Sequence, residues 1–157
     1  MNGQNNGVIL LVEDSPEYAE LAASLLWREG FTDDEVVVAR DGVEAIDYLY
    51  SPERSAEEMP RLVLLDLNMP RLDGFGVLRK MRQEERTRFV PVVMLTSSDH
   101  PEDVCRAYEL GANGYLDKFS DEVRWDEMVR AAVRYWVRMN LTPYSLVGQD
   151  NGFAQRF

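Results

Sequence analysis

Five short apolar runs, separated by segments with helical periodicity, constrain the fold of this 157-residue chain more than any other feature. The runs are rich in Val, Ile and Leu and are apolar on both faces, which is typical of central strands in a parallel sheet. They lie at residues 8–12, 35–39, 61–66, 90–96 and 114–118. Because they recur at about the interval of a βα unit, we predict five parallel strands joined by helices.

The segments between the runs carry helix start and stop signals. Ser15 and Pro16 form a typical N-cap and first-turn proline, and Gly30 is typical of a helix end. Further helices are predicted to begin after Asp41, Asp73 and His100, and a fifth to cover roughly residues 121–139. Five strands and five helices in alternation predict a doubly wound, three-layer α/β sandwich.

Composition excludes several classes of protein. The 28 acidic and 17 basic residues give a net charge of −11, which would repel a nucleic-acid backbone. Cys105 is the single cysteine, so no internal disulfide is possible, and no apolar run approaches the roughly 18 residues of a membrane span. The first residues also lack the basic and apolar regions of a signal peptide. We expect a soluble, cytoplasmic protein that binds neither nucleic acid nor membrane.

Polar side chains stand at the carboxyl ends of the predicted strands, where open parallel sheets bind ligands. They are Glu13, Asp14, Asp66, Thr96 and Lys118. Crowded carboxylates stay charged only beside a cation, and oxygen ligands without His or Cys favour Mg²⁺. An aspartate beside Mg²⁺, a hydroxyl and an ammonium group is equipped to attack phosphorus. The sequence therefore predicts a phosphoryl-acceptor site.

The order of these motifs resembles the receiver domain of two-component response regulators. The resemblance rests on VED at 12–14, LLDLNMPRLDG at 64–74, VMLTSS at 93–98 and GYLDK at 114–118. It implies a flavodoxin-like receiver fold and a phosphoryl group accepted by Asp66 from a sensor histidine kinase. We accordingly expect a flexible N-terminus at 1–6, a receiver domain at 7–139 and a C-terminal arm at 140–157.

The resemblance also implies a set of metal ligands. It assigns Asp14 and Asp66 as carboxylate ligands of Mg²⁺, Glu13 as a ligand that acts through water, and Asn68 as the donor of a main-chain carbonyl. In this family the metal and the phosphoryl group share one site, so these residues are expected to lie around Asp66.

Three more residues receive roles from the resemblance. Thr96 and Lys118 correspond to the groups that hold the phosphoryl oxygens, and Tyr115 with Thr96 corresponds to the switch pair. Phe119 departs from the family pattern, which usually has a proline with a cis peptide bond after the lysine. A cis bond before a residue other than proline costs about 3 kcal/mol, so the geometry of this loop stays open.

The end of the chain suggests a class of partner. Only 18 residues follow position 139, too few for a second core, so we expect the receiver to act alone. This ending and the lengthened segment 51–60 resemble the stand-alone response regulators of bacterial phytochrome histidine kinases. That resemblance implies a homodimer through the fourth helix, fifth strand and fifth helix, with the arm packed on the neighbour. The expected interface residues are Tyr135, Trp136, Pro143 and Tyr144; the alternative is a tail that folds back on its own domain.

Three function classes stay open. The first is a phosphoacceptor signalling protein that is not an enzyme, apart from slow self-dephosphorylation influenced by Asn68 and Ser98. The second is a phosphorelay intermediate that passes the phosphoryl group from Asp66 to a histidine phosphotransfer protein. The third is a Mg²⁺-dependent phosphatase with an aspartate nucleophile. That class normally has a second acid two residues after the nucleophile, where this chain has Asn68.

Overall fold

A computed structural model of the chain describes residues 7–55, 58–118 and 121–146. The expected flexible N-terminus at 1–6 lies outside these residues, as do the peptide bond between Lys118 and Phe119 and most of the expected arm. The side chains of Glu122, Ser145 and Leu146 are also outside the description.

Five strands form one parallel sheet in the order β2-β1-β3-β4-β5. Their bounds are Ile9–Val12 for β1, Val36–Ala39 for β2, Leu62–Leu65 for β3, Val92–Thr96 for β4 and Gly114–Asp117 for β5. Every residue of β1, β3 and β4 is buried, whereas β2 and β5 at the sheet edges are mostly half-buried. The predicted fold class is confirmed: runs that are apolar on both faces form the centre of a doubly wound sheet.

Helices cover both faces of the sheet. They are α1 (Pro16–Arg28), α2 (Gly42–Leu49), α3 (Gly74–Gln83), α4 (Pro101–Glu109) and α5 (Glu122–Val133), with a short 3₁₀ turn at Asp33–Glu35. One apolar cluster joins the sheet to α1 and α5, and a second joins it to α2, α3 and α4. In the described part of the chain, no helix is both long enough and apolar enough to cross a membrane.

The predicted helix starts are correct in position, but not every N-cap side chain accepts a hydrogen bond from the first turn of its helix. Asp41 accepts a hydrogen bond from the main-chain N–H of Glu44 at 2.9 Å, and Asp73 accepts one from that of Gly76 at 2.8 Å. Ser15 stands at the N-cap position of α1 without a side-chain cap hydrogen bond. Each of the two aspartates therefore accepts a hydrogen bond from a main-chain N–H that has no partner within its helix. These N-caps lie at the starts of α2 and α3, beside the carboxyl edge of the sheet.

The fifth helical segment covers the predicted residues, roughly 121–139, but its last turns are not α-helical. It is an α-helix only to Val133 and continues as a π-helical turn over Arg134–Met139, followed by a 3₁₀ turn at Pro143–Leu146. Tyr135 and Trp136 lie in the π-helical turn, with their rings edge to face and 4.8 Å between centroids. Tyr135 is exposed, whereas Trp136 packs partly against the core.

The C-terminal segment returns to its own domain at Tyr144. The Tyr144 ring is buried, and its centroid lies 6.5 Å from that of Phe89. Its hydroxyl donates to the main-chain carbonyl of Glu85 at 3.2 Å. In the described chain Tyr144 packs on its own domain, as in the alternative of a tail that folds back, and its expected place at a dimer interface stays a prediction.

Close backbone approach at Gly74 sets the position of the loop after β3. The Gly74 N–H donates to the carbonyl of Leu67 at 2.8 Å. A Cβ added at Gly74 would lie 2.3 Å from the carbonyl oxygen of Asp66 and 2.9 Å from the Leu67 Cα. Both are main-chain atoms that cannot turn away, so the start of α3 tolerates no side chain here.

Gly74→Ala should lower the free energy of unfolding by about 2 kcal/mol, because the added methyl group overpacks two main-chain segments. Gly114→Ala is the matched control, since its Cβ would meet the side chain of Val93 at an ordinary 3.5 Å. Urea unfolding of the wild type and both variants measures the effect. Equal destabilisation by the two substitutions would contradict the prediction.

Candidate functional site

The carboxyl ends of β1, β3 and β5 bring Glu13, Asp66 and Lys118 together. Main-chain hydrogen bonds continue the sheet beyond the strand ends: the Asp66 N–H donates to the carbonyl of Val12 and the Lys118 N–H to that of Thr96, both at 2.9 Å. The Glu13 N–H likewise donates to the carbonyl of Ala39 at 3.0 Å, so the backbone of all three residues is held by the sheet. The side chains start from neighbouring points on one edge, as the sequence predicts.

These three side chains form a buried charged cluster. The exposed fractions are 4% for Lys118, 3% for Glu13 and 6% for Asp66. The Lys118 ammonium donates to the Glu13 carboxylate, and its Nζ lies 3.4 Å from Asp66 Oδ2. Main-chain donors complete the cluster: the Leu67 N–H donates to Asp66 Oδ1 at 2.8 Å and the Ser15 N–H to Glu13 Oε1 at 3.1 Å.

The arrangement suits a hard divalent cation. Carboxylate oxygens of Glu13, Asp14 and Asp66 lie within 4.8 Å of one another, with Asp14 exposed to solvent and the other two buried. An all-oxygen set open to water on one side fits Mg²⁺, which retains several of its own waters. Asn68 is exposed two residues beyond Asp66, and its role as a carbonyl ligand stays a prediction.

Burial dominates the titration of both buried acids. The pKa of Glu13 is raised to about 7: burial is the largest cause, the hydrogen bond from Lys118 opposes the rise, and the negative charge of Asp66 adds to it. Burial also raises the pKa of Asp66 above its usual value, against the opposing effects of Lys118 and the Thr96 hydroxyl. Without a cation the acids therefore share less than two full charges near neutral pH, whereas a bound divalent ion favours both carboxylates.

Thr96 and Tyr115 are connected through Ser98. The Thr96 hydroxyl, fully buried at the end of β4, accepts a hydrogen bond from the Ser98 N–H at 3.3 Å. The Tyr115 hydroxyl donates to the Ser98 carbonyl at 2.8 Å, and the Ser98 hydroxyl contacts a carboxylate oxygen of Asp103 at 2.5 Å. The expected switch residues are thus linked by one residue whose main chain contacts both.

The loop after β3 is tied to the loop after β2. Arg71 has a left-handed backbone with φ of 66°, and its Nε donates to Asp41 Oδ2 at 2.9 Å. Two contacts hold the pKa of Asp41 below its usual value: first the N–H of Glu44 and then Arg71. This ion pair and the tight packing at Gly74 restrain the loop on either side of Asn68.

Sequence reasoning missed two contacts, one with the charged cluster and one with the residue that links Thr96 to Tyr115. Tyr18 places its ring beside the Lys118 ammonium, and Asp103 contacts Ser98. The only signal for Tyr18 is its position four residues after Asp14, one turn along a helix that starts at the site. The expected dimer residues Tyr135 and Trp136 are not part of the cluster, since they lie beyond the far end of α5.

Comparison with known proteins gives a family match and close relatives. The model of the response regulator receiver domain matches residues 9–130. The probable methanogenesis regulatory protein FilR2 of Methanothrix harundinacea is 41% identical over 139 residues, which cover 87% of each chain. Response regulator Rcp1 of Synechocystis is 36% identical over 137 residues, or 87% of this chain and 92% of Rcp1.

Solved structures agree with the sequence matches. The Mn(2+)-bound form of Rcp1 superposes with a TM-score of 0.75 at 36% identity, over 87% of this chain and 99% of Rcp1. The phosphorylated cyanobacterial phytochrome response regulator RcpA gives 0.75 at 30% identity, over 87% and 98%. The bacteriophytochrome response regulator AtBRR gives 0.65 at 38% identity, over 86% and 98%.

The family match extends over most of the chain, from β1 into α5, and includes every residue of the charged cluster. Rcp1, RcpA and AtBRR are 30% to 38% identical to this chain and align along nearly their whole length, and RcpA and AtBRR are named as phytochrome response regulators. This chain belongs to the response regulator receiver family.

Proposed function

We propose that this chain accepts a phosphoryl group on Asp66 from a sensor histidine kinase and uses Mg²⁺ to do so. One observation carries the proposal: Lys118 Nζ lies 3.4 Å from Asp66 Oδ2 in a buried cluster at the carboxyl edge of the sheet. A buried ion pair of this kind adds little to the free energy of folding, because the desolvation of both charges costs about as much as their electrostatic attraction provides. A reaction that uses the charges explains the arrangement better.

The transfer step uses groups already positioned around Asp66. A carboxylate oxygen of Asp66 attacks the phosphorus of a phosphohistidine, so an O–P bond forms while the P–N bond breaks and the imidazole leaves. The Lys118 ammonium and the Thr96 hydroxyl donate to the phosphoryl oxygens, which carry the developing charge. Glu13, Asp14 and Asp66 would hold Mg²⁺, with Asn68 as a further ligand, and a bound ion would supply positive charge against the negative charge of the phosphoryl group. The Mn(2+)-bound form of Rcp1 supports a divalent ion in this family.

Phosphorylation would act on the rest of the domain through Thr96. If the Thr96 hydroxyl turns to the phosphoryl group, the Ser98 N–H loses its acceptor, and Ser98 also holds the Tyr115 hydroxyl. The change would therefore reach the segment that leads into α4 and the ring on β5. A local change of charge becomes a change on the face formed by α4, β5 and α5.

The proposed partner is a phytochrome-type histidine kinase in the cytoplasm, where ATP supplies its phosphohistidine. The similarity to RcpA and AtBRR, which are named as phytochrome response regulators, supports this class of kinase. The alternative function as a Mg²⁺-dependent phosphatase is less well supported. That class has a second acid two residues after the nucleophile, and this chain has Asn68 there. Transfer onward to a histidine phosphotransfer protein is a separate outcome that the phosphotransfer experiment measures.

A homodimer through α4, β5 and α5 is the proposed assembly. Beyond α5 the chain exposes Tyr135, Met139 and Leu141 at 51%, 67% and 75%, next to the half-buried Trp136 and Pro143. Large apolar groups that are this exposed favour burial against a second surface. Tyr144 contributes indirectly, since its anchoring to the same chain sets where the exposed residues lie.

Asp66→Asn should abolish phosphorylation, because an amide is not a nucleophile toward phosphorus. The measurement is intact-protein mass spectrometry after incubation with a phosphorylated phytochrome kinase, and separately with acetyl phosphate, both with Mg²⁺. Asp47→Asn is the matched control, since Asp47 is exposed on α2 outside the cluster. Label that persists on the Asp66 variant would contradict the assignment. Label chased onto an added histidine phosphotransfer protein would identify a relay intermediate.

Glu13→Gln should stabilise the metal-free protein at pH 8 by about 2 kcal/mol more than at pH 5. The folded-state pKa of Glu13, about 7, lies above its ordinary 4.5, so the folded protein loses stability relative to the unfolded chain as pH rises between these values. Gln removes that loss. Urea unfolding at both pH values measures the difference, and Mg²⁺ should stabilise the wild type more than the variant. The same increment at both pH values would refute the prediction.

Leu141→Asp should convert the proposed dimer to a monomer, since it places a charge in the exposed apolar set without touching the buried Tyr144. Light scattering coupled to size exclusion gives the mass. Leu21→Asp is the control, because Leu21 is also exposed but lies on α1. A wild type with the mass of one chain, before and after phosphorylation, would rule out this assembly.

A further inference from the structure

We propose that the Tyr18 ring positions the Lys118 ammonium for the phosphoryl group through a cation–π contact. The inference deepens the proposed function and rests on it. Tyr18 is then a positioning residue, because it acts on the reacting atoms through Lys118. The chemistry is general: an ammonium group over the face of an aromatic ring is attracted by the ring quadrupole, and more strongly where water is excluded.

The geometry places the ammonium between two acids and one ring. Lys118 Nζ lies 4.6 Å from the centroid of the Tyr18 ring. It also donates to Glu13 and lies 3.4 Å from Asp66 Oδ2. The carboxylates belong to residues that follow β1 and β3, and the ring belongs to α1. The ammonium is thus held from the sheet edge and from the helix layer, with only 4% of its side chain exposed.

A second aromatic contact fixes the ring itself. Tyr18 lies in the first turn of α1, and its ring centroid is 6.3 Å from that of Trp125 at an interplanar angle of 52°. Trp125 is buried in α5 within the core cluster. Because Tyr18 is half-buried between two helices, its ring cannot swing away from Lys118 without losing the Trp125 contact.

An uncharged partner has an advantage during phosphoryl transfer. Lys118 must redirect its hydrogen bonds from Glu13 to an incoming phosphoryl oxygen, and a flexible four-carbon side chain loses freedom when it does so. A third carboxylate in place of Tyr18 would compete with the phosphoryl group for the ammonium. The ring face attracts the ammonium without occupying its N–H donors, so Lys118 stays aimed at Asp66 before and after transfer.

The test compares variants at position 18 for phosphorylation by acetyl phosphate with Mg²⁺ and for the half-life of phospho-Asp66. Tyr18→Phe keeps the ring and should stay within about twofold of the wild type, whereas Tyr18→Leu should slow phosphorylation by about fivefold and lengthen the half-life, because Lys118 stabilises the charge that develops in both transfer and hydrolysis. Tyr48→Leu is the matched control, because the Tyr48 ring stacks on the Arg54 guanidinium at 3.8 Å, away from the cluster. Unchanged rates in the Tyr18→Leu variant would overturn the proposal.

Fluorinated phenylalanines at position 18 separate attraction from packing. Each added fluorine withdraws electron density from the ring face with little change in shape, so the phosphorylation rate should fall stepwise with fluorination while the free energy of unfolding stays nearly constant. If the phosphorylation rate is the same across the fluorinated variants, the ring acts by packing alone and the proposal fails. The series also remains informative if Tyr18→Leu does not fold.

Failure of this inference differs from failure of the proposed function. A wild type that takes up no phosphoryl group overturns both, whereas normal wild-type uptake with equal rates across the position 18 series overturns only the role of Tyr18. NMR of the unphosphorylated protein tests the contact by itself: the ring should shift the Lys118 Hε protons upfield in the wild type and Tyr18→Phe. The absence of that shift in the wild type would refute the contact.

Discussion

A buried ammonium between two buried acids is the interaction on which the rest of this structure depends. Lys118, Glu13 and Asp66 each follow a different strand, and the cluster forms only if β1, β3 and β5 end at the same level of the sheet. Burial raises the pKa of both acids, so the cluster is costly for the metal-free fold. The cost is offset by a core in which the central strands are buried throughout. The cation and the phosphoryl group of the proposed function are the partners that make these charges favourable.

The main chain, more than the side chains, sets the position of Asp66. Its N–H belongs to the sheet, its carbonyl faces Gly74 at a distance that excludes a Cβ, and the loop beyond is held by the pair of Arg71 and Asp41. The left-handed backbone of Arg71 carries a conformational cost that this ion pair offsets. Restraint at several points reduces the freedom of the loop before any ligand binds, and the proposed phosphoryl transfer would need such a fixed geometry.

Sequence predicts the sheet and the cluster well because both follow from local patterns. Central strands buried on both faces are continuously apolar, and the change to Glu13, Asp66 and Lys118 marks the carboxyl end of each strand. Contacts between distant segments leave no such pattern. The apolar groups of the tail show that Tyr144 needs a surface, but the ring of Phe89 that it meets is 55 residues away in the chain. The contact between the Tyr18 ring and Lys118 could not be predicted for the same reason. A tyrosine at helical spacing is equally compatible with an ordinary core position.

The charged cluster lies at the carboxyl edge of the sheet, and a different aromatic residue links it to the apolar cluster on each face. Tyr115 packs with the core cluster of α2, α3 and α4 and is tied to Thr96 through Ser98. Tyr18 contacts Lys118 and Trp125, and Trp125 belongs to the cluster of α1 and α5. A new charge on Asp66 acts on Thr96 and Lys118 together, because both donate to the same phosphoryl group in the proposed reaction. In the proposed function, phosphorylation at the sheet edge would therefore be transmitted to both faces of the domain through contacts already present in the described chain.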